Sequence, residues 1–210
     1  MFSQQDIRDI RDEAQQAGIE PAVLLAVAEV ESGGVCLYRI NGRSEPPIRF
    51  EGHYFDQRLS GAQRQVARSR GLANPAAGAV RNPASQAARW QLLEAAIAID
   101  RQAALESVSW GIGQVMGAHW KCLGHDSVEA LAAEARACLK GQLRLMIRFI
   151  GHNNLMPALA QHDWKRFARA YNGPKFTQNR YDAKLALAWR RFAAAESRGT
   201  TATGGQSGPV

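Results

Sequence analysis

The apolar run from Pro21 to Glu31 is the feature that most constrains how this chain can fold. Proline fits the first turn of a helix, and Ser32-Gly33-Gly34 is typical of a helix end, so the run predicts a helix over 21–31. A carboxylate ends this helix, where it faces the negative end of the helix dipole. Partial burial beside Val27 and Val30 would disfavour its ionised form again. Both effects raise the pKa of Glu31, and a carboxyl group that stays protonated can act as a general acid. The structural alternative is an exposed residue at the end of a helix.

The rest of the sequence predicts a mainly helical α+β protein. With 210 residues, 46% of them hydrophobic, the chain can bury one core, and we expect a single domain over 1–197. The tail over 198–210 is rich in Gly and Thr and is predicted to be disordered. Further helices are predicted over 3–18, 56–70, 85–104, 127–138, 139–150, 155–161, 163–171 and 178–197.

One region has the pattern of a β-hairpin. A strand over 36–40, a turn at Asn41-Gly42 and a strand over 47–51 are predicted there. Alternation along the second strand places Ile48 and Phe50 on one face and Arg49 and Glu51 on the other. Glu51 is therefore a second candidate carboxylate. A structural ion pair with Arg49 or His53 is the alternative role for it.

The charge is distributed unevenly along the chain. The net charge is +7, and residues 140–198 hold twelve Lys or Arg against three acids. This region favours polyanions such as nucleic acid, wall polymers or lipid head groups, although a solvated cationic surface is the ordinary explanation. We expect contact between the basic C-terminal region, including its amphipathic segment 142–150, and an anionic cell envelope.

The remaining composition bounds the compartment and the chemistry. Cys36, Cys122 and Cys138 show no paired spacing, so reduced thiols are expected. His119 and His125 flank Cys122 but lack a fourth ligand at standard spacing, so no metal site is predicted. The N-terminus lacks the pattern of a secretory signal, and no segment is long enough to cross a bilayer. A substrate outside the cytoplasm would require another agent to deliver the protein.

Three motifs occur in a fixed order: Val30-Glu31-Ser32-Gly33-Gly34, then Ser107 to Trp120 around Trp110-Gly111-Ile112-Gly113-Gln114, then Ala170-Tyr171-Asn172-Gly173-Pro174. They resemble segments of goose-type lysozymes and soluble lytic transglycosylases. With Phe50-Glu51-Gly52-His53 they are still more similar to the single-domain N-acetylmuramidases found as phage and prophage endolysins. The resemblance covers about residues 3–195. It implies a lysozyme-like fold with a small hairpin beside the catalytic helix, and cleavage of the β-1,4 bond between N-acetylmuramic acid and N-acetylglucosamine.

The resemblance also implies roles for individual residues. Glu31 would be the general acid and Glu51 a second catalytic carboxylate. Substrate-binding roles would fall to Ser32, Trp110, Gly111, Gln114, Tyr171 and Asn172. Glycines at 111 and 113 allow a sugar chain to approach the backbone, and the ring of Trp110 suits a pyranose, although tryptophan is more often a core residue. Glu29 points to another helix face and is expected to be exposed.

Several alternatives remain open. A lytic transglycosylase would form 1,6-anhydro ends without using water, and a non-catalytic protein could bind the cell wall or polyanions through the basic region. The resemblance implies no cofactor. We expect a monomer that binds peptidoglycan strands and no nucleic acid, made in the host cytoplasm and acting in the periplasm after holin-type release. The sequence does not decide whether cleavage retains or inverts the configuration of the anomeric centre.

Overall fold

The computed structural model describes residues 2–173 and 176–203. It divides the chain into two compact units, one formed by Met1–Gly34 with Asn153–Val210 and the other by Val35–His152. The single domain over 1–197 that the sequence predicts stays a prediction. Helices dominate both units, which confirms a mainly helical α+β chain.

The described residues form eleven α-helices and two small antiparallel sheets. The helices are α1 (Gln4–Gln16), α2 (Pro21–Ser32), α3 (Gly52–Arg58), α4 (Gly61–Ser69), α5 (Gln86–Ile97), α6 (Arg101–Glu106), α7 (Val128–Ala137), α8 (Leu139–His152), α9 (Met156–Ala160), α10 (Trp164–Tyr171) and α11 (Tyr181–Thr203). The strands are β1 (Tyr38–Ile40), β2 (Arg43–Glu45), β3 (Ile48–Phe50), β4 (Val108–Trp110) and β5 (Val115–Met116). Short 3₁₀ helices occur at Gly117–His119 and Phe176–Asn179.

Local signals place the first two helices where the sequence predicts them. Ser3 caps α1 through a capping box, in which its hydroxyl accepts from the Asp6 backbone N–H and the Asp6 carboxylate accepts from the Ser3 N–H. Pro21 begins α2, and Gly33 ends it in the left-handed region at φ +62°. The N–H of Gly33 donates to the Glu29 carbonyl at 2.8 Å. Helix α2 contacts both α1 and α11, and its residues Ala22 to Ala28 are all buried.

The strand pairing differs from the predicted hairpin. β1 pairs with β2 around Asn41-Gly42, while β3 pairs with β4, with Ile48 opposite Trp110 and Phe50 opposite Val108. Prolines 46 and 47 have no N–H to donate, so they end the first ladder. Ile48 and Phe50 are fully buried while Arg49 is exposed, which confirms the predicted alternation. β4 continues the sheet to β5.

Three predicted helix boundaries are wrong. Ser60 separates α3 from α4, and Asp100 separates α5 from α6 because its side chain accepts from the Ala103 N–H at 2.9 Å and caps a new helix. Helix α11 continues to Thr203, six residues past the predicted helix end at residue 197 and into the predicted tail. Residues 204–210 lie outside the described residues.

The core of the Val35–His152 unit surrounds the three-stranded sheet. Its fully buried side chains include Phe50, Phe55, Leu93 and Trp110, and the Trp90 ring packs edge-on against Trp110 at 5.9 Å. The amphipathic segment 142–150 lies within α8, whose buried side chains include Leu143, Leu145, Met146 and Ile150. Residues 142–150 therefore belong to a core helix with one wet face.

Candidate active site

Glu31 lies one residue before the end of α2, as the sequence predicts. The Asn172 side-chain amide donates to Glu31 Oε1 at 2.8 Å. Burial raises the pKa of Glu31, and the Asn172 hydrogen bond offsets only part of this effect. The carboxyl group therefore keeps its proton to a higher pH than an ordinary glutamate, as a general acid requires.

The charge of Glu31 acts on two tyrosine side chains, Tyr171 and Tyr181. Tyr171 ends α10 and Tyr181 begins α11. Burial, and then the negative charge of Glu31, raise the pKa of Tyr171 well above its usual range, and the same two causes raise the pKa of Tyr181. Both phenols stay protonated and can donate hydrogen bonds near the acid. The sequence motifs include Tyr171 but not Tyr181, because nothing local marks the first residue of α11 as a neighbour of Glu31.

Asn172 and Ser32 have different local environments. The Asn172 side-chain oxygen, Oδ1, is buried and has no hydrogen-bond partner within the described part of the chain. A buried acceptor of this kind suits a substrate hydroxyl or amide N–H. The Ser32 hydroxyl donates to the Ala28 carbonyl at 2.6 Å and accepts from the Gly34 N–H at 3.0 Å. Ser32 therefore holds the end of α2 in place behind Glu31, and a role in binding substrate stays a prediction.

Glu29 is not the freely solvated residue that the sequence predicts. Its carboxylate forms an ion pair with Arg191 of α11, and its side chain is only 28% exposed. Because Arg191 is supplied by a helix more than 150 residues further along the chain, no local pattern could indicate this pair.

Glu51 follows β3 in the Val35–His152 unit. Arg49 Nε lies 2.7 Å from Glu51 Oε1, and His53 Nδ1 lies 3.6 Å from Oε2, which is an ion-pair distance but too long for a hydrogen bond. The Glu51 side chain is 17% exposed. These contacts fit the structural alternative, while leaving the carboxylate within reach of solvent.

Gly111 and Gln114 define the tight turn between β4 and β5. Gly111 has φ +67° and Gln114 φ +48°, which is uncommon for a residue with a side chain. The Gln114 backbone and side-chain amides both donate to the Gly111 carbonyl, at 3.1 and 2.8 Å. Such conformations cluster at functional sites, where the surrounding structure imposes them.

Gln142 supports this turn and was not predicted as a site residue. Its side-chain oxygen accepts from the Ile112 N–H at 3.0 Å, and its amide donates to the Cys36 carbonyl at 3.1 Å. The side chain is 1% exposed. The signal in the sequence is a polar residue inside the apolar stripe of α8.

Trp110 does not offer a face to a sugar. It is 1% exposed, and its indole N–H donates to the Leu105 carbonyl at 3.2 Å. All three residues of β4 are buried, so alternation along the strand provides no exposed face. The predicted sugar platform is therefore a core residue in this structure.

The structure groups the predicted residues into separate sets. Glu31, Tyr171 and Asn172 come together in one unit. In the other unit, Glu51 and the Gly111–Gln114 turn lie at opposite ends of the paired strands β3 and β4. At one end the Glu51 N–H donates to the Ser107 carbonyl, and at the other end the Gly111 N–H donates to the Pro47 carbonyl. Across residues 2–173 and 176–203, no group of three or more His, Cys, Asp or Glu is placed to hold a metal ion.

Comparison with known proteins gives a consistent result. A sequence model of the N-acetylmuramidase family matches residues 20–193. The crystal structure of the Burkholderia AP3 phage endolysin is similar, with 33% sequence identity and a TM-score of 0.77, over 90% of this chain and 71% of that chain. A search of curated proteins found no match. The matched span includes Glu31, Glu51, Gln114, Tyr171 and Asn172, and the chain belongs to the N-acetylmuramidase family as a glycoside hydrolase of the lysozyme type.

Proposed function

We propose that this enzyme hydrolyses the β-1,4 bond between N-acetylmuramic acid and N-acetylglucosamine in peptidoglycan, with Glu31 as the general acid. The observation that carries the proposal is the buried Glu31 carboxyl at the end of α2, with its raised pKa and its hydrogen bond from Asn172. Because Asn172 occupies Oε1, we place the transferable proton on Oε2. Protonation of the glycosidic oxygen then accompanies development of an oxocarbenium-like state.

The two phenols and the buried Asn172 oxygen complete this half of the mechanism. Tyr171 and Tyr181 remain neutral donors near Glu31 and stabilise its carboxylate after proton transfer. We propose that Asn172 Oδ1 accepts a hydrogen bond from a sugar hydroxyl or acetamide group. Ser32, Gly111 and Gln114 remain proposed substrate-binding residues.

For Glu51 we propose activation of water or stabilisation of positive charge, the two roles of a second carboxylate in glycosidases. The ion pair with Arg49 would orient Oε1. This assignment is independent of the assignment of Glu31, and a separate variant tests it.

One observation favours lytic transglycosylation as a second candidate. Glu51 is paired with Arg49, whereas Glu31 is the carboxyl group whose pKa is raised by burial, as proton donation requires. In that reaction the 6-hydroxyl of the sugar replaces water, and a single acid is sufficient. Membership of a hydrolase family argues against the non-catalytic wall-binding alternative.

The family and the similar phage endolysin support a role as an endolysin acting on the cell wall. Release to the periplasm by a holin, monomeric behaviour and contact of the basic C-terminal region with an anionic envelope are proposals. Among the described residues, no helix is both long and apolar enough to cross a membrane. Because most apolar side chains of α8 are buried, envelope contact would use its exposed arginines, such as Arg144 and Arg148.

The test is turbidity loss of Gram-negative cells with a permeabilised outer membrane, comparing the wild type with Glu31→Gln, followed by mass analysis of the fragments. We expect lysis only with the wild type, and reducing N-acetylmuramic acid ends. Fragments lighter by one water would indicate transglycosylation. Equal lysis by Glu31→Gln would contradict the assignment of Glu31.

A further inference from the structure

We infer that a groove beside the end of α2 binds the acidic stem peptide of the substrate. The groove lies within the unit formed by Met1–Gly34 and Asn153–Val210, has a volume of about 430 Å³, and is bordered by α2 and α11. This inference rests on the proposed cleavage next to N-acetylmuramic acid, because that sugar carries the stem peptide.

Position is the first argument. Val30 and Gly33 line the groove; Val30 directly precedes Glu31 in α2, and Gly33 is the residue that ends this helix, two positions after Glu31. A stem peptide is attached to the lactyl group of N-acetylmuramic acid, so it begins beside the bond that Glu31 would protonate. Gly33 leaves open space at this point, since a Cβ built there would meet no atom within 4 Å.

Shape and length are the second argument. Lys184, Leu187, Ala188 and Arg191 are spaced to form one face of α11 and line the groove. The distance along the helix from Lys184 to Arg191 is about 10 Å, at 1.5 Å per residue. Three residues of an extended peptide also span about 10 Å. Leu187 is 71% exposed, the highest value among the large hydrophobic residues described, and offers an apolar contact for alanine methyl groups.

Charge is the third argument. Arg191 is paired with Glu29, and its guanidinium also lies 4.7 Å from the centre of the Phe192 ring. Lys184 has no ion-pair partner among the described residues, and its Nζ lies 5.6 Å from the centre of the Tyr181 ring. Burial and then the negative charge of Glu31 raise the pKa of Tyr181. Glu29 also lines the groove, and its charge is balanced by Arg191, so Lys184 supplies the available ammonium group. An ammonium group suits the carboxylates of a stem peptide better than it suits neutral sugars.

The experiment compares two substrates that differ only in their peptides. Glycan strands with stem peptides, and the same strands after an amidase has removed them, are digested by the full chain, and kcat/KM is measured by reducing-end release. The variants are Lys184→Glu and Leu187→Ser. The matched control is Arg190→Glu, which makes the same charge change on α11 at an exposed residue outside the groove.

We expect the wild type to prefer the strands that carry peptides. Lys184→Glu should lower that preference by about tenfold, the order expected for loss of one charge-assisted hydrogen bond. Leu187→Ser should lower it by a smaller factor, and Arg190→Glu should leave it unchanged. Circular dichroism of each variant verifies folding, and the exposed Leu187 provides a second variant if Lys184→Glu folds poorly.

Two results would overturn the inference. Equal kcat/KM of the wild type on both substrates would show that the peptide is not recognised. Equal losses in Lys184→Glu and Arg190→Glu would indicate general attraction of a basic surface to an acidic wall. Failure of the wild type to cleave either substrate would contradict the proposed function itself, which is a distinguishable outcome.

Discussion

Asn172 donates a hydrogen bond of 2.8 Å to Glu31, although the two residues are 141 positions apart in sequence. The bond joins the residue that follows α10 to the residue before the end of α2. Burial raises the pKa of the Glu31 carboxyl group, and this hydrogen bond lowers it in part. Asn172 therefore limits how far the acidity of Glu31 is shifted, while fixing one of its oxygens.

Asn172→Ala should move the alkaline limb of the kcat/KM profile to higher pH. The variant removes the interaction that favours the ionised form of Glu31, so its pKa should rise further. The free energy of unfolding should fall by about 1 kcal/mol for the lost hydrogen bond. The measurement is a pH–rate profile on soluble glycan strands. Asn179→Ala, at an exposed residue, is the control, and an unmoved alkaline limb would contradict the role of Asn172.

Glu31→Gln should make the protein more stable relative to the wild type as the pH rises. The pKa of Glu31 is higher in the folded protein than in the unfolded chain, because burial disfavours the ionised carboxylate. Protonated Glu31 therefore stabilises the wild-type fold fully at a pH below its pKa in the unfolded chain. This stabilisation is lost as the pH rises through the pKa of Glu31 in the folded protein. Glutamine has no such dependence. Urea unfolding at acidic and neutral pH measures the difference. Glu29→Gln is the control: it breaks the ion pair with Arg191 and should lower the free energy of unfolding at neutral pH. If the free energies of unfolding of Glu31→Gln and the wild type differ by the same amount at both pH values, the prediction is wrong.

Glu51→Gln should lower kcat by about 100-fold or more if this carboxylate activates water. Arg49→Gln removes its ion-pair partner, which is 55% exposed, and should change kcat much less. Product analysis accompanies the kinetics. Full activity of Glu51→Gln with anhydro products would favour the transglycosylase, whereas full activity with reducing ends would assign Glu51 a structural role.

Gln114→Gly, at the turn between β4 and β5, should change activity while leaving stability nearly unchanged. Glycine adopts φ +48° without the steric cost, while the side-chain hydrogen bond to Gly111 is lost, so the free energy of unfolding should stay within about 1 kcal/mol of the wild type. If the Gln114 side chain binds substrate, kcat/KM should fall by about tenfold. Thermal unfolding and glycan hydrolysis are measured on the same preparation. Gln114→Ala loses the bond and keeps the steric cost, so it should be the less stable variant.

Trp110→Ala should destabilise the Val35–His152 unit by about 3 to 5 kcal/mol, because it leaves a cavity against Trp90 in the core. Trp110→Phe fills most of the space and should retain much of the activity. Denaturant unfolding and kcat/KM of both variants are the measurements. A stable Trp110→Phe enzyme with greatly raised KM would restore the sugar-binding role that the sequence suggested.

The sequence by itself determined the features that depend on neighbouring residues. The capping box at Ser3 and Asp6, Pro21 at the start of α2 and Gly33 at its end each satisfy backbone groups within one helix turn. The same is true of the hairpin turn at Asn41-Gly42 and of Glu31 at a helix end. The ordered motifs were sufficient to indicate the family, because residue types at fixed spacing are a property of the sequence.

Only the tertiary structure decided which distant elements meet. β3 pairs with β4, 58 positions away at Phe50 and Val108, because buried backbone groups need partners that Pro46 and Pro47 cannot provide within the hairpin. The burial of Trp110 follows from this pairing, since β4 becomes the central strand of its sheet. Tyr181, Asn172 and the Glu29–Arg191 pair come to the end of α2 through helix packing, whose contacts are set by side-chain shape over long separations and leave no local pattern.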